Sequence, residues 1–192
     1  DNSGGRFNSL NGLVITLDDA LINAQGTIGS EGTLTANVGR IDNSAGSLST
    51  AGVLSVTSRG AVLNRAGSIS TDSSLTLTSA SLDNSQKGLI SAKGASHVDT
   101  GDFDNSLGGK LTSEASLTLK AAQVNNATGR IASQQALNVS VTGLDQQGGK
   151  LFSNSSLSLD LNNGQLNNQN GLINAPGTLL LKQLKGVNNQ GG

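Results

Sequence analysis

Apolar residues recur along this chain in a fixed order of polar gaps. Two residues after each of nine glycines stands Phe7, Ile28, Leu48, Ile69, Ile90, Leu111, Ile131, Leu151 or Ile173. Six and eight residues beyond these come Leu13/Ile15, Leu34/Ala36, Leu54/Val56, Leu75/Leu77, Ser96/Val98, Leu117/Leu119, Leu137/Val139, Leu157/Leu159 and Leu179/Leu181. A third apolar position follows at Leu21, Ile41, Val62, Leu82, Phe103, Val124, Leu144, Leu166 or Val187, after a gap of five to seven residues. Apolar residues two apart with one polar residue between, as in Leu117-Thr118-Leu119, follow the alternation of a half-buried strand. No segment carries the i, i+3, i+4, i+7 spacing of a helix. Each period therefore predicts three short strands separated by Gly, Asn, Ser and Asp, the common turn formers.

The anchoring glycines are Gly5, Gly26, Gly46, Gly67, Gly88, Gly109, Gly129, Gly149, Gly171 and Gly192, at intervals of 20 to 22 residues. A fixed period of this length marks a solenoid, in which each repeat buries its apolar face only against its neighbours. With three strands per period, the expected fold is all-β: a parallel β-helix of about nine coils, each strand pairing with its equivalent about 4.8 Å away. The leucine-rich repeat has a similar period, but its LxxLxLxxN strand signature is not present. The variable gap before the third apolar position places a connecting loop there, because surface turns tolerate changes of length.

Two polar columns run through the repeats. One comprises Asn23, Asn43, Asn64, Asn84, Asn105, Asn126, Gln146 and Asn168, flanked by Asn2 and Asn189. Stacked amides of this kind form hydrogen-bonded ladders, and Asn also tolerates the left-handed turn conformation. The other comprises Ser9, Ser30, Thr50, Thr71, Ala92, Ser113, Ser133, Ser153 and Ala175, whose uniform small size predicts an inward corner.

Composition now acquires a meaning. Only 34% of the 192 residues are hydrophobic and 2% aromatic, a weak core for a compact globule. Disordered chains, however, do not keep aliphatics in register over so many repeats. A net charge of -1 gives no general attraction to nucleic acid or to an anionic membrane. No apolar run is long enough to span a bilayer, and no signal peptide opens the chain. With no cysteine there are no disulfides and no thiolate metal sites. Residues 1–192 read as one repeat segment without a linker, and both ends fall mid-motif, as expected of a piece of a longer array.

The stretches LDNSQKGLIS (with one inserted residue), IDNSAGSLSTAGVLSV and VNNATGRIASQQALNV resemble the haemagglutinin repeats of the filamentous haemagglutinin family. That family comprises large exoproteins of Gram-negative bacteria exported by two-partner secretion, among them adhesins and the stick-like effectors of contact-dependent growth inhibition. The resemblance implies a right-handed β-helix, a secreted or cell-surface location and an outer-membrane transporter as partner during export. It further implies a structural shaft, expected to be monomeric, that meets a host or neighbouring-cell receptor or glycan. The alternative is that the segment is itself the receptor- or glycan-binding module.

Candidate chemistry is sparse, and no cofactor or metal is implied. His97 alternates with the inward Val98 and so faces solvent without a partner for base catalysis. Around it lie Asp99, Asp102 and Asp104, of which Asp102 and Asp104 project outward together, as a weak cation site or a solvated loop would have it. Polysaccharide-cleaving enzymes share the β-helix but concentrate carboxylates, cations and aromatics on one face. Here Trp and Tyr are absent, so the chain reads as no enzyme. The calcium-binding GGxGxD and phosphate-binding GxxxxGK[ST] motifs are absent as well. One exposed feature remains: the position after the anchoring glycine is Lys110, Arg130 and Lys150 in three consecutive repeats. It reads either as solvated charge discouraging edge association or as a linear track for an anionic polysaccharide. Ala132, which follows the inward Ile131, is expected to face solvent.

Overall fold

The computed structural model describes all residues from Asp1 to Gly192 and contains strands, turns and no helix. It is a parallel β-solenoid. Strands such as Thr27–Ser30, Ser47–Thr50 and Ser68–Thr71 stack into one nine-stranded parallel sheet. The register is the one the columns demand: Leu111 pairs with Ile131, and Ile131 with Leu151.

The other two faces do not stay separate. They join into one 14-stranded sheet, because Leu75–Asp83, Ser96–Asp104, Leu157–Asn167 and Leu179–Asn188 each run without a break through the region expected to be a loop. Beneath this join lies an inward column that the sequence reading passed over, two residues beyond seven of the nine apolar pairs: Val38, Ser58, Ser79, Thr100, Ala121, Val141 and Leu161 are all buried. Extended alternation therefore continues past the pair. The hydroxyls hidden among these residues are satisfied internally, Ser79 and Thr100 bonding to each other at 2.8 Å. Length variation is absorbed as a bulge. The longest gap, Leu159 to Leu166, carries Asn162 and Asn163 at φ 48° and 64°, and the strand register shifts beside them.

Inside the coils one continuous cluster of 33 buried apolar side chains runs along the axis. Its columns open at the two ends: Phe7, Leu179, Leu181 and Val187, expected inward, are exposed because no further coil covers them. Ser96 stands between Leu75 and Leu117 in the second column. Its buried hydroxyl has no hydrogen-bond partner, and the largest fully buried side chain, Phe103, belongs to the same coil.

The small-residue column is buried as expected from Ser30 to Ser153 and half-buried at its ends, Ser9 and Ala175, and seven of its nine members are hydroxyls for a reason beyond size. Ser30, Thr71 and Ser113 donate to backbone carbonyls at Asn11, Gly52 and Gly94 in the preceding coil, at 3.0, 2.5 and 2.8 Å. They also accept backbone N–H groups two residues on. Each of these three hydroxyls thus closes its own turn and holds the turn beneath it.

Candidate functional site

The amide column is the element that fixes the rest. Asn2, Asn23, Asn43, Asn64, Asn84, Asn105 and Asn126 each donate a side-chain N–H to the side-chain oxygen of the next coil's amide, at 2.7 to 2.8 Å. The second N–H goes to a backbone carbonyl one coil ahead. Asn84, Asn105 and Asn126 donate in this way to the carbonyls of Lys110, Arg130 and Lys150, at 3.0, 3.2 and 3.3 Å. Buried amides are as a rule hydrogen-bonded, and from Asn23 to Asn126 each side-chain oxygen and both N–H groups have partners.

The ladder is interrupted once. Gln146 accepts from Asn126 and keeps the second bond of the row, its Nε2 donating to the Leu172 carbonyl at 3.4 Å, but one methylene longer than Asn it makes no bond to Asn168. The buried Asn168 Oδ1 is left without a donor, and the row resumes with Asn168 donating to Asn189 at 2.6 Å. The expectation of an unbroken column through Gln146 and Asn168 is thereby corrected.

A second correction concerns the turn. The ladder residues are not left-handed; the residue before the glycine is, at Gln25, Ala45, Ala66, Thr128 and Asn170. In the two coils with an inserted residue, two successive positions take that conformation: Gln86 with Lys87, and Leu107 with Gly108. The turn closes when the glycine N–H donates to the ladder residue's carbonyl, as Gly67 does to Asn64 at 3.1 Å. Glycine is required there by crowding, since a Cβ on Gly67 would stand 2.7 Å from Asn64 Oδ1 and closer still to the Asn43 carbonyl. In most coils the residue just before the ladder amide caps the same turn, the Asp42, Asp104 and Asp145 carboxylates accepting N–H groups from Ser44, Ser106 and Gln147, whereas Ile22 and Leu63 hold that place in two coils.

On this scaffold Lys110, Arg130 and Lys150 lie in register on three adjacent strands and are exposed. Leu89 and Leu172 bound the row on either side. A shallow hollow of about 200 Å³ beside it is lined by Gly108, Gly109, Thr128, Gly129 and Gly148 together with the three cations. The Arg130 guanidinium sits 4.3 Å above the Phe152 ring, a cation–π contact that holds the fork in place. Lys87, on the preceding turn, reaches toward Gly108 at the same end. Ala132 lies directly opposite Phe152 and is buried, though it is no part of the interior cluster. Its expected exposure fails because an aromatic outward neighbour covers it.

Charge elsewhere is mostly paired, Arg6 and Lys185 in the terminal coils excepted. The six ion pairs, Arg40 with Asp19, Arg59 with Asp18, Arg65 with Asp83, Lys93 with Asp72, Lys120 with Asp99 and Lys182 with Asp160, all join different coils. Burial alone would push the Asp83 carboxyl up, but the Ser85 hydroxyl, the Ser85 N–H and Arg65 together outweigh it and hold it below the usual carboxylate range. Hydrogen bonding and attraction from Asp72 raise the Lys93 ammonium above its ordinary value.

The acidic cluster around His97 does not converge. His97 is exposed between Thr76 and Thr118. Asp99 is engaged by Lys120, Asp102 accepts the Gln123 N–H at 3.3 Å, and Asp104 is committed to its turn. No three His, Asp or Glu side chains approach closely enough to hold a metal ion. A larger hollow, about 810 Å³, opens beside the Asn162–Asn163 bulge and is lined mainly by Gln123, Asp145, Gln165, Asn167 and Lys185. The seven-residue gap before Leu166 is its only trace in the sequence.

The haemagglutinin repeat model matches residues 11–66, 61–121 and 100–183. The chain belongs to the haemagglutinin repeat family. No curated protein and no solved structure matches it. Haemagglutinin repeats are structural repeats of secreted exoproteins, displayed outside the cell or at its surface, and are not typically enzymes.

Proposed function

We propose that this haemagglutinin repeat segment is a shaft that spaces the working ends of a surface exoprotein, either an adhesin or an effector of contact-dependent growth inhibition. The parent leaves a Gram-negative cell through an outer-membrane transporter, and the segment itself stays monomeric. The carrying observation is the continuous axial cluster of 33 apolar side chains beside a paired amide column, which makes length the property that the repeat multiplies. Stacking at about 4.8 Å per coil gives a rod of roughly 43 Å for nine coils.

Deleting one period, Gly67 to Lys87, should leave a folded rod shorter by about 4.8 Å in solution scattering. A half-period deletion should unfold the flanking coils, because it stacks the strands of one face on those of another and breaks every column. If the one-period deletion unfolds the chain, the coils are not interchangeable spacers and the shaft reading fails. The second reading, a module that binds through its side, is favoured at one place, the row Lys110, Arg130 and Lys150.

A further inference from the structure

We infer that the interface between the coil of residues 129–148 and that of residues 149–170 is a built-in joint of the shaft. It is the interior level at which the coils part first, and beyond it residues 149–192 open as one unit. The inference deepens the shaft reading, since a loaded shaft yields at its weakest level, but it is tested by where the coils part and not by the length of the rod.

The first observation is the ladder. Side-chain amides link neighbouring coils at every level from Asn2 to Asn189 except this one. Here the Asn168 Oδ1 is buried and accepts nothing. An unmet acceptor away from water weakens the interface that should have supplied its donor, and in a solenoid that loss stays between two coils.

The second observation is charge. Ion pairs bridge every level from residues 5–25 up to residues 109–128, Arg59 with Asp18 spanning a whole coil, and Lys182 with Asp160 ties the last two coils. The two levels between 109–128 and 149–170 have none. Like charges stand in register there instead, Lys110 with Arg130 and Arg130 with Lys150, and such pairs oppose stacking. The earlier of these levels keeps its ladder bond, Asn126 to Gln146 at 2.7 Å. Only the later lacks both kinds of tie.

The third observation is chain length. The gap before the third apolar position grows from five residues, Val139 to Leu144, to seven, Leu159 to Leu166, the largest change between neighbouring coils. Val141 and Thr142 therefore face the four residues from Leu161 to Gly164, and the surplus stands out as the Asn162–Asn163 bulge. The hollow of about 810 Å³ opens beside it.

What still crosses this level allows it to reclose. Ile131 stacks on Leu151, Leu137 on Leu157 and Leu144 on Leu166, all buried. The side-chain bonds from Asn154 to Gln134, Asn162 to Ser140 and Asn167 to Asp145 lie at or near the surface, where water competes for the same groups. The rival weak level is that of Ser96, whose buried hydroxyl is also unmet. Both sides of its coil, however, keep a ladder bond and an ion pair, Lys93 with Asp72 on one and Lys120 with Asp99 on the other.

The test is native-state hydrogen exchange of the 192-residue chain over a range of low guanidinium concentrations. Amides of residues 149–192 should share one opening reaction, with protection about tenfold below that of residues 109–148 and a step at Gly148/Gly149. Residues 5–25 and 26–45, whose interfaces keep both ties, should fray one coil at a time. Gln146→Asn/Lys150→Asp gives Asn168 its donor and Arg130 a carboxylate in register, and it should erase the step. Should that variant not fold, Lys150→Asp alone must shrink the step about threefold. The control Ser96→Ala removes the other unmet group and should leave the step unchanged. Protection that declines smoothly across Gly148/Gly149 overturns the inference, as does first opening at residues 88–108 or a step that survives in the double variant. Failure of the one-period deletion would remove the shaft and leave this step in place, so the two failures are told apart.

Discussion

Replacing Gln146 by Asn should make this protein more stable, although the residue is buried and the change removes a methylene. In the native chain the Asn126 amide donates to Gln146 Oε1 at 2.7 Å, while Asn168 Oδ1 one coil further on accepts nothing. An unsatisfied buried acceptor costs about 1–3 kcal/mol. Shortening the side chain recreates the geometry of Asn105 and Asn126, which meet at 2.7 Å, and gives Asn168 its donor. The lost methylene returns about 0.8 kcal/mol of hydrophobic stabilisation, so the expected net gain is about 1 kcal/mol. In a repeat array this gain belongs to the interface between two coils rather than to the whole chain. Native-state hydrogen exchange at Gly149, Lys150, Gly171 and Leu172 is therefore the sharper assay, supported by the guanidinium midpoint. Protection should rise about fivefold at those amides, as 1 kcal/mol requires, and change little near Asn43. Unchanged or reduced protection would refute the reasoning, since it would show that the orphaned oxygen costs less than one methylene is worth.

Ile131→Asp should cost about 3–5 kcal/mol by denaturation, because it places a carboxylate between Leu111 and Leu151. Ala132→Asp should cost about 1 kcal/mol beneath Phe152, and little in a Phe152→Ala background, a coupling that a double-mutant cycle measures. Thr128→Gly should stabilise by about 1 kcal/mol on the same denaturation scale, since a β-branched residue at φ 59° is strained and Gly148 holds the equivalent position one coil later. Asp83 titrates lower folded than unfolded, so its contribution is whole above the unfolded value of about 3.9 and disappears as pH falls through the folded one. Asp83→Asn should accordingly lose less stability than the native chain between about pH 6 and pH 3. Lys93 is shifted the opposite way: its contribution is whole below the unfolded lysine value of about 10.4 and disappears as pH rises through the folded one.

The columns that carry the fold were legible because stacking forces like onto like. Ile69, Ile90 and Leu111 needed no structure to be placed inside, nor did the Asn row. What stayed hidden depends on small differences in reach. The column from Val38 to Leu161 escaped notice because Ser58, Ser79 and Thr100 occupy it in three coils, and a hydroxyl is read as surface until its partner is seen. The break at Gln146 is one methylene, invisible to a pattern that treats Asn and Gln alike. Ala132 was placed on the outward face by alternation, but alternation cannot tell that Phe152 would cover it. Lys110, Arg130 and Lys150 were brought together as expected. The ion pairs that set their isolation apart join residues 18 to 41 positions away, a relation that only the stacked coils reveal.

The amide row also has a direction. Every ladder residue from Asn2 to Asn126 points its N–H groups toward the following coil, and the choice is forced, because the second N–H must face a backbone carbonyl there, as at Ser47, Ser68 and Leu89. The fibre therefore has a donor end and an acceptor end, with its side-chain dipoles aligned head to tail and each polarising the next. A coil that has just formed at the C-terminal side displays two unmet donors, and the arriving coil supplies both acceptors at once. For a polypeptide that emerges N-terminus first, assembly works as a ratchet: each finished turn is the template for the one still to come, and retreat requires two side-chain hydrogen bonds to break together.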